Sequence, residues 1–370
     1  MRMAPRNTEE EMAPRPVLNL PHAGGNPYQA LIYRKSGFRP LPLGRGDWQR
    51  LLDPAAPRLL HLHWDDRLFA RTPDPAANAR DTEEKLAILA RFRAAGGRIL
   101  WTVHNRLPHR IVDEAGFRTA RARIAALADR VHVHSREAAR HVGTAYGVPA
   151  DRIRHIPHPS YLGAYEPAEA TLGRAMPPPG ERHFLFFGML RGNKGVQEIV
   201  ATARKLTRRD HPYRLTIAGK AFASQRRLRR RAGLNPRITF IGERIPDEEI
   251  PPLFSTAHFL LLPARGILTS GTVHLALTFG LPVIGPAIPA LTEVLPPPCH
   301  SLLYDPASPR GLIRSMIRAI DMPATTLEVL RAAAFARARE LAPENIGRQL
   351  GRLLEELAAD ASPPVQTAGV

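Results

Sequence analysis

The sequence predicts an α/β protein built from two parallel-sheet domains. Three observations carry that prediction: short apolar or β-branched runs alternate with helical patterns, the alternation occurs in two series, and an aperiodic stretch separates them. At 370 residues and 44% hydrophobic content, the chain can fill two cores of ordinary size.

In the first series, PVLNL (16–20), LLHLHW (59–64), RILWTVH (98–104), RVHVHS (130–135) and IRHIPH (153–158) read as buried strands. Between them TEEKLAILARFRAAGG has apolar residues at helical spacing, with Thr82 as its N-cap and Gly96 as its stop signal. The second series runs through HFLFFG (183–188), YRLTIAG (213–219), RITFIG (237–242), FLLLPA (259–264) and LPVIGP (281–286), with helices starting near Val196, Asp247 and Gly271. The expected division is a disordered tail at 1–15, a first domain at 16–160, a Pro-rich linker at 161–182 and a second domain at 183–341. A helix at 342–358 and a disordered tail at 359–370 complete the chain.

Composition narrows the functional classes. No run of eighteen apolar residues appears and the first fifteen residues are charged and proline-bearing, which argues against a membrane-spanning helix and a signal peptide. A cytoplasmic protein is expected. The single cysteine, Cys299, cannot form an internal disulfide or a cysteine-based metal cluster. The formal charge of +18 rests on arginine, with five lysines among 52 basic residues. Such a field attracts phosphates, anionic lipid or nucleic acid, and arginine abundance through composition drift accounts for it equally well. The run SQRRLRRRAG, with cations at 226, 227 and 229–231, reads as a solvated face of a short helix.

In open parallel sheets ligands bind beyond the carboxyl ends of the strands. In the first half those positions hold His63 with Trp64 and Asp65, His104 with Asn105, His134 with Ser135, and His158. His61 and His132 are expected to point elsewhere, Asp65 and Asp66 to face solvent, and no metal site is expected because the histidines lack paired ligand spacing. In the second half, FLFFGMLRGNKGVQEIV leaves a strand at Gly188, places Arg191 and Lys194 in a short loop and enters a helix at Gly195. Two cations three residues apart can clasp a diphosphate, Arg191 in bidentate fashion. The glycine spacing and the Ser or Thr of a P-loop are missing. Further on, LTSGTVHLALTFG places Ser270, Gly271 and Thr272 at the start of a helix. They serve either as a plain cap or as a seat for an anion at the positive end of the helix dipole.

The succession FFGMLRGNKG, LTIAG, ITFIGERIPDEEIPPLFSTAHFLLLP and GLPVIGP resembles the C-terminal domain of the family 4 (group 1) glycosyltransferases of GT-B fold. NLPHAGGNPYQALIY and WTVHNRLPH resemble the first domain more loosely. The resemblance implies two facing doubly wound, Rossmann-like domains with a cleft between them, and a last helix crossing back to the first. It also implies a nucleotide-sugar donor held by the second domain, an acceptor held by the first, and no cofactor or metal. Carried onto this chain, Arg191 and Lys194 neutralise the donor diphosphate together with Ser270, Gly271 and Thr272, and His104 sits over the sugar. Gly188, Glu243 and Arg244 lie on the nucleotide side, Gly25 and Asn26 belong to the first-domain loop at 24–29 that approaches the donor phosphate, and His63 and Asn105 lie on the acceptor side.

The chain departs from the family where many members place two glutamates eight residues apart. Ile267 and Leu275 stand there, Leu275 with the character of a core residue, as in a subgroup lacking the paired-glutamate motif; His274 or Glu293 remains for a ribose or sugar contact. His104 is followed by Asn105 where aspartate is frequent. The expected function is retaining hexosyl transfer from a nucleotide-diphosphate sugar to an acceptor hydroxyl, in polysaccharide or glycolipid biosynthesis. The expected partners are the donor, a glycan or lipid-linked acceptor and an anionic membrane surface at which the protein is peripheral. One alternative is a non-catalytic relative that binds nucleotide or glycan as an assembly partner. Another is a basic nucleic-acid-binding protein, which only the charge supports, so nucleic acid is not expected as a partner.

Overall fold

The computed structural model describes residues 13–361 except 66, 67, 70, 71, 108–112, 176, 178, 179, 191–193 and 265. Most of both expected tails, and Asp66 and Arg191, therefore lie outside the described residues. The first sheet contains β1 (Arg15–Leu20), β2 (Phe38–Pro42), β3 (Leu59–Leu62), β4 (Arg98–Val103), β5 (Arg130–Val133) and β6 (Ile153–His155). The second contains β7 (Arg182–Phe187), β8 (Tyr213–Ala218), β9 (Ile238–Ile241), β10 (Phe259–Leu261), β11 (Val283–Pro286) and β12 (Leu303–Tyr304). Every pairing is parallel, in the orders β2-β1-β3-β4-β5-β6 and β12-β11-β10-β7-β8-β9. Both are doubly wound: strand order reverses between β1 and β3 in one sheet and between β7 and β10 in the other. Such reversals splay successive connections to opposite faces and open a crevice at the carboxyl ends.

The edge strands β2 and β12 escape the sequence reading. FRPLP contains two prolines, which a central strand excludes and an edge strand tolerates, and β12 has two residues. The helix expected to begin at Thr82 begins at Pro75, where Asp74 caps it by accepting from Ala76 N at 2.9 Å. Thr82 lies inside that helix and donates to Asn78 O at 2.8 Å. Its first turns, PAANAR, hold no large apolar side chain, so apolar periodicity misses them. Gly96 follows the helix end at φ 85°. Near Asp247 the chain makes a 3-10 turn, Asp247–Glu249, before the helix Ile250–Ser255. The segment read as an aperiodic linker contains the helix Ala168–Leu172 and buries Tyr161 and Leu162 in the second core.

The last helix, Pro343–Ala359, buries Ile346, Leu350, Leu353, Leu354 and Leu357 against Val17, Ile32, Leu59 and Leu100 of the first domain. Gly347 and Gly351 permit its approach. A Cβ on Gly347 would lie 1.7 Å from Arg34 O, and one on Gly351 2.2 Å from Ser36 O. Arg34 adds donors to Leu162 O and Gly163 O, each at 3.2 Å, and to Glu344 at 3.2 Å.

Helix propensity alone favours alanine over glycine by about 1 kcal/mol. Gly351→Ala is nevertheless expected to lower stability by about 1–3 kcal/mol, through overpacking against backbone that cannot yield. Urea unfolding followed by far-UV circular dichroism checks this; a raised midpoint would show that the helix does not press on the Arg34–Ser36 turn.

Candidate active site

The carboxyl ends of the two sheets face each other across a cleft of about 310 Å³. The loops after β1, β3 and β4 contribute Asn26, Tyr28, Trp64, His104 and Asn105, and His158 follows β6. From the second sheet come Gly188 and Lys194 after β7, Thr269 after β10, and Ser270, Gly271 and Thr272 at the start of the helix Gly271–Thr278. Both strand-order reversals supply this lining. No aspartate or glutamate lines the cleft among the described residues.

On the second-domain side, Gly195 stands at φ 73° before the helix Val196–Thr207, and a Cβ there would lie 2.6 Å from Pro263 Cγ. Only glycine lets the loop carrying Lys194 turn this tightly into its helix. Ser270 makes no side-chain cap bond to its helix, so the first turn at Gly271 lines the cleft without its N–H groups being taken by a serine hydroxyl. The plain-cap reading of LTSGT therefore fails.

The first-domain side is a face of neutral histidines. Residues two apart on a strand share a face, so His61 with His63, and His132 with His134, point the same way, and the expectation that His61 and His132 point elsewhere is overturned. The Ile156 carbonyl can only accept, and it receives His132 Nε2–H at 2.9 Å and His134 Nδ1–H at 3.0 Å. The remaining tautomers follow from donor and acceptor capacity. His132 Nδ1 accepts from the Thr102 hydroxyl at 2.8 Å, Thr102 accepts from His61 Nε2–H at 2.7 Å, and His61 Nδ1 accepts from Tyr33 at 2.7 Å. Tyr28 donates to His134 Nε2 at 2.9 Å, and His158 Nδ1 donates to Pro159 O at 2.7 Å. His63 Nδ1 lies 3.3 Å from His104 Nε2, and His63 Nε2 is buried without a partner. Leaving a lone pair there rather than an N–H costs less, which puts the His63 proton on Nδ1 and the His104 proton on its own Nδ1. Burial lowers the pKa of all these rings, to about 4 for His132 and His158.

Asp65, expected in solvent, is 1% exposed and paired with Arg121, also 1% exposed. Arg121 Nε and Nη2 donate to its two oxygens at 2.6 and 3.0 Å, and Nη1 donates to Asn105 O at 2.6 Å and Arg106 O at 2.8 Å. Burial opposes the Arg121 charge, and the Asp65 carboxylate more than offsets it, so the guanidinium pKa is raised. The pair pins the loop after β4 that presents His104 and Asn105.

The family described as Glycosyl transferases group 1 matches residues 181–322. Over those residues the second domain is similar to a glycosyl transferases group 1 domain. It is 25% identical over 279 residues to a GDP-mannose:glycolipid 4-beta-D-mannosyltransferase of Xanthomonas campestris pv. campestris, covering 72% of this chain and 71% of that one. It is 32% identical over 155 residues to a D-inositol 3-phosphate glycosyltransferase of Nocardia farcinica, covering 38% and 34%. Among solved structures, Anabaena HepE in complex with UDP and glucose superposes with a TM-score of 0.68 at 14% identity, over 92% of this chain and 100% of that one. Sucrose-phosphate synthase from Thermosynechococcus elongatus gives 0.66 at 19%, over 94% and 100%. These likenesses establish the GT-B fold of two facing Rossmann-like domains.

Of the residues singled out in the sequence, the second domain brings Gly188, Lys194, Ser270, Gly271 and Thr272 to the cleft, and the first domain brings Asn26, His104 and Asn105. His63 lies buried behind His104. Gly25, Glu243 and Arg244 are exposed and are not part of the lining; Arg244 pairs with Asp247 at 3.4 Å. Leu275 is 4% exposed, in the core and at the cleft floor. Trp64, His158 and Thr269 were missed as site residues or named without a role, although each lies just beyond a strand or before a helix, and Tyr28 was named only as part of the loop at 24–29.

His274 and Glu293 serve the domain junction. His274 stacks on His158 with ring centroids 4.4 Å apart. Glu293, from the second domain, accepts from Arg136 N at 2.7 Å and Glu137 N at 3.1 Å, capping the first-domain helix Arg136–Tyr146. Ser135 Oγ donates to Leu268 O at 3.3 Å, and Leu268 is buried in the first core.

Acid should find the neutral histidines. In the fold they stay unprotonated well below pH 6.5, His132 and His158 to about 4, whereas in the unfolded chain they bind protons near pH 6.5. The unfolded state therefore takes up more protons in this window, and stability falls as pH drops through it, by up to about 1.4 kcal/mol per pH unit for each ring. Urea midpoints at pH 7.5 and 5.0 measure the slope; equal stability at both would contradict buried neutral rings.

Proposed function

We propose that the protein transfers a hexose from a nucleotide-diphosphate sugar to an acceptor hydroxyl. The observation that carries this reading is one cleft in which Lys194 and an uncapped helix N-terminus face a neutral wall containing His104, Asn105, Asn26 and Tyr28. The Xanthomonas relative is named for GDP-mannose and a glycolipid, and the HepE structure for UDP and glucose, which supports a nucleotide-sugar donor. Lys194, with Arg191, takes the diphosphate charge as the sugar departs, and the first turn at Gly271 adds its dipole. His104 offers Nδ1–H to a sugar or acceptor hydroxyl.

With no carboxylate among the described lining residues, retention proceeds through the donor phosphate itself. The bond from the anomeric carbon to the phosphate oxygen breaks, the acceptor oxygen bonds on the same face, and its proton passes to the departing phosphate oxygen. One observation favours a second reading, inversion with a histidine base: His158 is neutral, donates through Nδ1 and lines the cleft, leaving Nε2 as an acceptor. The anomeric configuration of the product, read by proton NMR, separates the two.

Lys194→Ala is expected to lower kcat/KM about 10²-fold or more with the preferred donor, found from a panel of UDP-, GDP- and ADP-sugars. Unchanged donor binding and turnover in this variant would remove the diphosphate clasp. Nucleotide binding without turnover across the panel and candidate acceptors would favour a non-catalytic assembly partner.

The acceptor class fits a glycan or lipid-linked sugar used in polysaccharide or glycolipid assembly. No helix among the described residues is long and apolar enough to cross a membrane. The helix Arg226–Gly233 presents exposed Arg226, Arg227, Arg229, Arg230 and Arg231, followed by Leu234 at 80% exposure, which suits peripheral attachment to anionic lipid from the cytoplasm. Cosedimentation with phosphatidylserine vesicles is expected to weaken as salt rises; salt-insensitive pelleting would count against an electrostatic dock.

A further inference from the structure

A second cavity, of about 260 Å³, lies at the junction of the two domains. His134 and His274 border it, and the stack of His274 on His158, a cleft residue, walls it from the main cleft. Its polar lining comes from both domains: His134, Arg136 and His155 from the first, and His274, Glu293 and Arg337 from the second and the helix that follows it.

The charges here are unevenly committed. Both Glu293 oxygens already accept backbone N–H groups, from Arg136 and Glu137, at the positive end of a helix. Arg337 donates Nε to Val294 O at 3.0 Å and pairs through Nη1 with Glu340 at 2.6 Å, which holds its guanidinium against the cavity wall. The Arg136 guanidinium and the His155 ring make no hydrogen bond or ion pair among the described residues. His274, 2% exposed, has a buried Nδ1 with no partner. A cavity with one anchored guanidinium, one uncommitted guanidinium and the uncommitted His155 ring, whose single carboxylate has both oxygens occupied by backbone donors, matches a small multivalent oxyanion.

We propose that this junction cavity is a second ligand site that binds a phosphate-class oxyanion, held by Arg136, His155 and Arg337 and touching both domains at once. The site is separate from the cleft and does not rest on the reaction proposed above. Inorganic phosphate is the probe, and Lys194→Ala removes the cation of the described cleft lining, which weakens phosphate binding there. In that variant a phosphate-dependent rise in melting temperature is expected to persist. In Lys194→Ala/Arg136→Ala/His155→Ala the apparent phosphate affinity should fall about tenfold, the loss expected for one charge-assisted hydrogen bond. Arg136 and His155 are exposed, so the triple variant should melt like the single one in phosphate-free buffer. No phosphate effect in Lys194→Ala, or an effect that survives removal of Arg136 and His155, overturns the proposal.

Discussion

The carbonyl oxygen of Ile156 orders the first-domain half of the cleft. By accepting from His132 and His134 it decides which nitrogen of each ring carries the proton, and the chain through Thr102, His61 and Tyr33 follows from that choice. His134 then has only an acceptor to offer, which holds the Tyr28 hydroxyl and places the Tyr28 ring against His63, Trp64, His104, His134 and His158. A charge on any of these rings would have to be buried beside its neighbours, so the network stays neutral and each position depends on the next.

The two halves of the cleft thus differ in electrostatic kind. The second domain contributes cationic and dipolar groups at a strand-order reversal, Lys194 and the start of the helix at Gly271. The first domain contributes neutral donors and acceptors held by burial. Glu293 and Leu268 connect the halves, one by capping a helix of the opposite domain and the other by filling its core.

Much of this was legible in the chain. Most of the ten strands that could be read are buried on both faces and so form apolar runs, and the loops after β4 and β7 could be singled out because His104, Asn105, Gly188 and Lys194 stand where such a run stops. What escaped was of two kinds. Strands β2 and β12 lack the apolar pattern because β2 is interrupted by two prolines and β12 is only two residues long. Asp65 was misread because its partner, Arg121, is 56 positions away, and no local pattern distinguishes a carboxylate in solvent from one buried in an ion pair.

Local sequence, through periodicity and glycine placement, was sufficient for the parallel α/β architecture, the two domains and the loops that line the cleft. These depend on interactions between near neighbours along the chain: helical and strand periods, and turns that only glycine can make. Tertiary structure alone decided the protonation of the histidines, the burial of Asp65 and the use of Glu293 as a cap rather than a sugar contact. Each of those depends on a partner brought from another element, where burial makes an unpaired polar group too costly to leave and its partner therefore sets its state.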